Sequence, residues 1–509
     1  MSHRHSVQGI AGFQAALTVY NLLFVGAGLT LGIVIGVIPG LGSVTAMAVL
    51  IPLTFYMSPL AAIGFLVDIN KGGTSGGAIP AILLNSPGTP ESAASALDGY
   101  PMAKRGEPER AMKFALYSSV TGDMLSDILL IVLVVPFAAI ALQFGPLELA
   151  SILLFAFTLL AGISSNSPQK GLIAIFLGIF LASIGLDPID SSPRMTFGSI
   201  YLYDGLSLSA VAIGSLALAS VADQILTARK TNTVDGDRTR TVPTSKIRSL
   251  PVTEFFSHWK TILRSTMIGS GIGMLPGLGV TLAAFLSYGA SRRASKDPDS
   301  FGKGNPEGII ATEAANSAVV GANLVPALAL GIPGNVAAAL LLSALIIHGV
   351  TPGPFMMTMH GDLIYALFAS MLMANVLHLI IGRVGIPIWA SVARVRRRYI
   401  LPAVVFLCVT GAYLPGQSLF DVGTMLAFSV VGLIMNRTGF SVVCMVIGFI
   451  LGDLFETAMR QSVLLYKGNL NVIWESPIAI VFVVLSILVI LGPLWRHRLA
   501  KYRSAKSAD

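Results

Sequence analysis

Within an apolar stretch, Asn85, Ser86, Pro87, Gly88, Thr89, Pro90 and Glu91 form a run that cannot stay helical, since two prolines remove backbone donors and Gly88 permits positive φ. The run Gly331, Ile332, Pro333, Gly334 and Asn335 predicts a second break of the same kind. The chemistry of such breaks resides in the peptide groups. N–H groups at the start of a half-helix suit a carboxylate, and carbonyls at the preceding end suit Na⁺. Asn85 and Asn335 mark where Na⁺ would bind, and Ser86, Gly88, Thr89 and Gly334 complete the candidate set at the breaks. Two tips, Pro39-Gly40-Leu41-Gly42 and Pro276-Gly277-Leu278-Gly279, add further bare backbone, with Ser43 and Thr45 beside the first and Thr281 beside the second.

Other polar residues each admit two readings. Thr74 and Ser75 precede the first break as solute-binding hydroxyls or as helix caps. Lys71 either meets a solute carboxylate or neutralises Asp68, three residues earlier. Glu313 and Asn316 share a helix face at i, i+3, where the carboxylate binds a cation or proton or serves as an interfacial cap. Asp123 and Asp127, at i, i+4, suit a proton or sodium path or packing against a polar neighbour, and Asp453, Glu456 and Arg460 suit a local ion network near a membrane face. Catalysis finds no support, as GxxxxGK[ST] and HExxH are missing and Tyr203-Asp204 lacks a GxGD partner. The chain is expected not to be an enzyme and to need no cofactor beyond Na⁺ or H⁺ as a coupling ion.

The elements that must position these residues follow from composition. Of 509 residues 54% are hydrophobic and only 11% charged, less than half the roughly 25% charged content of a soluble domain. Apolar runs of 17 or more residues recur throughout, which predicts an all-α polytopic membrane protein. The net charge of +8 lies in short clusters between apolar runs, a sign of membrane orientation rather than nucleic-acid binding. Cys408 and Cys444 stand in apolar stretches without metal-ligand spacing. Residues 1 to 20 lack a compact apolar core with a cleavage site, so the N-terminus is expected to be retained.

The chain also repeats itself. Gly32, Gly36, Pro39, Gly40, Leu41 and Gly42 spell GxxxGxxPGLG, and Gly269 to Gly279 spell it again 237 residues on. Pro80, Ala81, Leu84, Pro87 and Gly88 spell PAxxLxxPG, repeated by Pro326 to Gly334 after 246 residues. Basic clusters at Lys104–Lys113 and Arg229–Arg264, Arg292–Lys303, Arg383–Arg398 and Arg496–Lys506 predict cytoplasmic segments. Two of them flank the second PGLG, leaving arms of about eleven residues that reach ~16 Å, half of a ~30 Å core. A re-entrant hairpin is expected there, with one kinked spanning helix as the alternative. With an interrupted segment expected at about 72 to 100, five crossings then separate the copies, and an odd number inverts the second. The expected organisation is a first membrane repeat at 1–228, a basic cytoplasmic linker at 229–260, a second membrane repeat at 261–495 and a basic tail at 496–509. Each inverted-topology repeat carries a re-entrant hairpin and a discontinuous helix.

The runs GVIPGLGSVTAMAVLIPLTF, GGAIPAILLNSPGTPESAASALDGYPMAKRG and NPEGIIATEAANSAVVGANLVPALALGIPG resemble the large membrane subunit of the tripartite tricarboxylate transporter family, over about residues 20 to 495. The resemblance implies a translocation path for a carboxylate solute in a bacterial inner membrane. It also implies a small membrane subunit, a periplasmic solute-binding protein as partners, and an ion gradient rather than ATP as the driving force. Family motifs fall on Pro39, Gly40, Gly42, Asn85, Pro87, Gly88, Pro276, Gly277, Gly279, Glu313, Asn316, Pro333 and Gly334. The chain departs from the family pattern at NKGGTSGG and at Ser317, where Asn is common. A self-sufficient carboxylate and cation carrier of the same architecture is the alternative, and an intramembrane enzyme is the alternative of a different class.

Overall fold

The computed structural model describes residues 11–38, 42–164, 167–187, 190–230, 250–275, 279–392, 397–467, 469, 474 and 476–490. Pro39, Gly40, Pro276 and Gly277, most of the 229–260 linker and the 496–509 tail lie outside them. The described chain is helical apart from one antiparallel pair of two-residue strands, Gly185–Leu186 with Pro193–Arg194. Among the described residues seven helices are long and apolar enough to cross a membrane. Together these features make a multi-pass, all-α membrane protein.

The chain divides into two compact units, residues 1–139 with 209–433 and residues 140–208 with 434–509. Neither coincides with a sequence half. Each combines a stretch from before the linker with one from after it.

The larger unit holds the breaks. Its helices relevant to the site are α1 (Val19–Gly36), α2 (Ser43–Leu50), α3 (Pro59–Leu84), α4 (Ser92–Lys104), α5 (Pro108–Ala141), α6 (Trp259–Gly273), α7 (Gly279–Ala294), α8 (Pro306–Ala322), α9 (Leu324–Leu330), α10 (Val336–Ile347) and α11 (Gly361–Val392). Glycine spacing explains how α1 and α3 meet. A Cβ at Gly28, Gly32 or Gly36 would lie 2.6, 2.4 or 2.3 Å from the carbonyl oxygens of Phe65, Ile69 and Gly73. Only bare backbone allows this approach, which is the reason small residues recur at four-residue intervals in membrane helix pairs. The second copy packs alike: a Cβ at Gly269 would stand 2.2 Å from Ala315 O, and one at Gly273 3.0 Å from Val319 Cα.

Arg264 of α6 donates to Ser291 Oγ of α7 at 3.1 Å. These two arms therefore run side by side and antiparallel, with their basic ends together. Nearby, Arg105 Nη2 donates to Gly304 O at 2.6 Å, Arg110 pairs with Glu254, and the Tyr288 hydroxyl donates to Asp98 at 2.9 Å. Described parts of three basic clusters thus gather at one end of the unit.

Two expectations need correction. The first interrupted element begins at Pro59 rather than near residue 72, and α3 continues unbroken through both Gly-Gly pairs and Pro80. Thr74 and Ser75 consequently sit mid-helix and cannot be caps. The double glycines break nothing because α1 covers them: a Cβ at Gly72 or Gly76 would meet Leu29 O or Ile33 O at 2.4 and 2.6 Å.

In this unit a helical segment from before the linker, Leu208–Ala212 continued by the π-turn Ile213–Leu218, packs on Leu419–Thr438 from after it. Cβ atoms at Gly214 and Gly432 would lie 2.3 and 2.5 Å from Met425 O and Ser215 O. The smaller unit pairs Pro168–Ala182 with Val442–Leu465 in the same manner, through Gly178 on Met445 O (2.1 Å) and Gly448 on Ile175 O (2.3 Å). Of the expected trio Asp453, Glu456 and Arg460, the last two join an ion network there: Arg460 reaches Asp187 at 2.8 Å and Glu456 at 3.0 Å, and Arg194 reaches Glu456 at 2.7 Å.

Candidate functional site

Each break is built by one backbone device. Helix α3 stops because Asn85 adopts the left-handed conformation, φ 49°, and the Ser86 N–H returns to Pro80 O at 3.2 Å. Helix α9 stops because Gly331 does the same at φ 73°, and the Ile332 N–H returns to Pro326 O at 3.3 Å. Both are helix ends closed by a left-handed residue, a conformation that glycine and, less readily, asparagine adopt. In register, the counterpart of Asn85 is Gly331, and Asn335 matches Thr89.

The glycine that follows each proline then docks against the end of the PGLG arm. A Cβ at Gly88 would stand 2.2 Å from Gly36 O, and one at Gly334 2.8 Å from Gly273 O. Gly88 also donates its N–H to Gly77 O at 3.2 Å. The Thr89 side chain lies against Gly77, Ser43 lies against Gly73, and a Cβ at Gly42 would be 3.8 Å from Thr89 Cγ2. Gly42, Ser43, Gly88 and Thr89 therefore gather along the Gly73 to Gly77 surface of α3, and buried Thr74 lies within that stretch.

Other candidates have different surroundings. Asn335 caps α10, accepting from the Ala338 N–H at 2.9 Å, so that donor is not open to a solute. Ser92 Oγ accepts from the Thr89 N–H at 3.1 Å and donates to Thr89 O at 2.7 Å, closing the start of α4. Asn85 is exposed and Ser86 half-buried. Thr45 and Thr281 are half-buried in the first turns of α2 and α7, and Gly279 holds φ 73°. Ser75 lines a cavity of about 30 Å³ together with Ile33, His378 and Trp389. Pro39, Gly40 and Gly277 lie outside the described residues.

Glu313 is fully buried, so it is no interfacial cap. Its carboxylate accepts from Ser95 of α4 and, at 2.9 Å, from Ser119 of α5. Asn316, on the same helix, is buried with neither amide atom hydrogen-bonded among the described residues, and the same holds for Asn323, whose Cβ lies near Gly334.

Lys71 does not neutralise Asp68 by contact. Its ammonium pairs with Asp127 of α5 and donates to Asn375 Oδ1 of α11 at 2.8 Å, while Asn375 Nδ2 donates to Asp127 Oδ2 at 2.7 Å. Asp123 and His378 adjoin this group, with His378 Nδ1 4.0 Å from Asp123 Oδ2. Asn375 and His378 were missed from sequence, although two polar residues at i, i+3 inside the 361–382 apolar run were a visible signal. Among the described residues no three His, Cys, Asp or Glu side chains are arranged to hold a metal ion.

Interrupted helices docked on glycine-lined arms inside a multi-pass helical membrane protein define a transporter-like class. The model of the tripartite tricarboxylate transporter TctA family matches residues 22–447, and the chain belongs to that family. It is a transporter family, not an enzyme family. The chain is 32% identical over 470 residues, 92% of both chains, to an uncharacterized 52.8 kDa protein in the TAR-I ttuC' 3' region of Agrobacterium vitis. It is 35% identical over 211 residues, 42% of this chain and 87% of the other, to an uncharacterized protein in the TAR-II ttuC' 3' region of the same organism. No solved structure matches.

Proposed function

We propose that the chain is the large translocating subunit of a binding-protein-dependent secondary transporter that takes up a carboxylate solute across a bacterial inner membrane, driven by an ion gradient. Its partners in this reading are a small membrane subunit and a periplasmic solute-binding protein. The observation that carries the proposal is the duplicated docking of a broken helix on a PGLG arm, Gly88 on Gly36 and Gly334 on Gly273. In hydrocarbon an unwound backbone is tolerated only where it is buried in protein or lines a polar cavity. Two such breaks in one compact unit are the arrangement by which transporters present peptide dipoles to an anionic solute and its coupling ion. The antiparallel arms α6 and α7 with adjacent basic ends suit a re-entrant hairpin entering from the cytoplasm, and the first copy, with no Lys or Arg between Gln8 and Lys71, suits its inverted partner.

The test is a panel of mono-, di- and tricarboxylates presented to vesicles containing the three-component system, with and without a sodium or pH gradient. Uptake of at least one di- or tricarboxylate, dependent on an ion gradient and on the binding protein, is the expected result. Uptake by this chain alone would favour a self-sufficient carrier, and no gradient-dependent uptake of any carboxylate would overturn the proposal.

A further inference from the structure

The interior of the larger unit holds more carboxylate than it neutralises. Asp68, Asp123 and Asp127 are each at most 1% exposed, and the one cationic side chain among them, Lys71, is fully buried and paired with Asp127. Asn375 completes that pair from both sides. Both oxygens of Asp123 and both of Asp68 are left without a hydrogen-bond donor among the described residues. An ionised carboxylate in that position costs several kcal/mol unless a positive charge reaches it. The group facing Asp123 is His378, fully buried, with both ring nitrogens unpartnered and Nδ1 4.0 Å from Asp123 Oδ2. Elsewhere the cluster is bounded by Asp68 and Lys71 on α3, Asp127 on α5 and Glu313 on α8, whose carboxylate is already held by Ser95 and Ser119.

We propose that Asp123 and His378 form a proton-binding site, and that this site carries the coupling proton; the second clause rests on the ion-driven reading above. A solvent hydronium gives its proton to Asp123 Oδ2, one O–H bond breaking as one forms, and the proton is shared with His378 Nδ1. Closing the gap from 4.0 Å to hydrogen-bond distance takes a side-chain shift on the order of 1 Å. The cavity of about 30 Å³ against His378 has room for a water that would deliver the proton. Its wall includes Ile33, three residues from Gly36 on α1, and Ser75, which lies on the opposite side of α3 from the Gly73 and Gly77 positions that Ser43 and Thr89 face. Lys71, on the same helix, pins Asp127, and of the two carboxylates left without a donor, Asp68 and Asp123, it is Asp123 that His378 faces.

Infrared difference spectra of the purified full-length chain, recorded between acid and alkaline pH without solute, test the site independently of transport. A protonated-carboxyl C=O band that fades as pH rises, shifts on ¹³C-aspartate labelling, vanishes in Asp123→Asn, persists at a moved frequency in Asp123→Glu and shifts in His378→Gln is expected. A band untouched by Asp123→Asn, the lack of any aspartate band, or its removal by sodium at constant pH overturns the proposal. Since no carboxylate solute is present, failure of the uptake panel leaves this result unaffected, and failure here leaves the uptake panel standing.

Discussion

The two breaks share a backbone and differ in charge. Around the first, α3 carries Asp68 and Lys71, Glu91 stands just before α4, and α4 carries Asp98, all buried. At the positions 246 residues on, the second presents Ala314, Ser317, Ala337 and Ala344, and the buried polar residues of α8 to α10 and their junctions are Thr312, Glu313, Asn316, Ser317, Asn323 and Ser343, with Glu313 the one ionisable group among those described. The contacts common to both are those where a methyl group would collide with a carbonyl oxygen. Steric exclusion holds a backbone to one geometry, whereas the side chains around it are free to take up separate tasks. In this molecule most of the buried charge stands around the first break, whereas Glu313 is the buried carboxyl described beside the second.

Substitutions at paired positions can break or sharpen this contrast, with thermal unfolding in detergent as the readout. Lys71→Met leaves Asp127 buried and unpaired and is expected to cost about 3–5 kcal/mol, recovered largely when Asp127→Asn is added. Ser317→Ala, at the matching position, is expected to change stability by no more than about 0.5 kcal/mol; equal losses at the two sites would erase the asymmetry. Next comes Gly88→Ala, whose Cβ would be 2.2 Å from Gly36 O, with an expected loss of about 1–3 kcal/mol, exceeding that of Gly334→Ala at 2.8 Å from Gly273 O. The reverse order would mean that the first break yields more readily than the second. Asn335→Ala should cost roughly 1 kcal/mol by removing the α10 cap, while Asn335→Asp retains it.

The smallest stability effect is expected at Asn85, where Gly matches the φ of 49° at least as well as Asn and Ala costs roughly 1 kcal/mol. Uptake separates its two possible tasks. Asn85→Gly that transports normally assigns the residue to the turn, and Asn85→Gly that folds but loses ion dependence assigns it to the ion.

Much of this architecture was legible because prolines and glycines act locally. PAxxLxxPG announces a helix end through Pro80 and Pro326, and the structure closes both ends on those carbonyls. The start of α3 was misread for the opposite reason: four glycines between Gly72 and Gly77 weaken an isolated helix, and only the backbone of α1 pressed against them makes the helix favourable. Ionic partners were the least legible part. A sequence displays neighbours three and four residues apart, which pointed Lys71 to Asp68, whereas its actual partners stand 56 and 304 residues away.

Asp98 shows what such distant joints imply. On the half-helix that leaves the first break, its carboxylate gathers the N–H groups of Gly302, Gly304 and Asn305 at 2.8–2.9 Å and the hydroxyl of Tyr288. Four bonds rivet a piece of the N-terminal copy onto the arm and turn of the C-terminal one. Any working stroke that preserves them must carry α4, α7 and the turn at 302–305 together as a single rigid body, although these pieces stand about 200 residues apart in the chain.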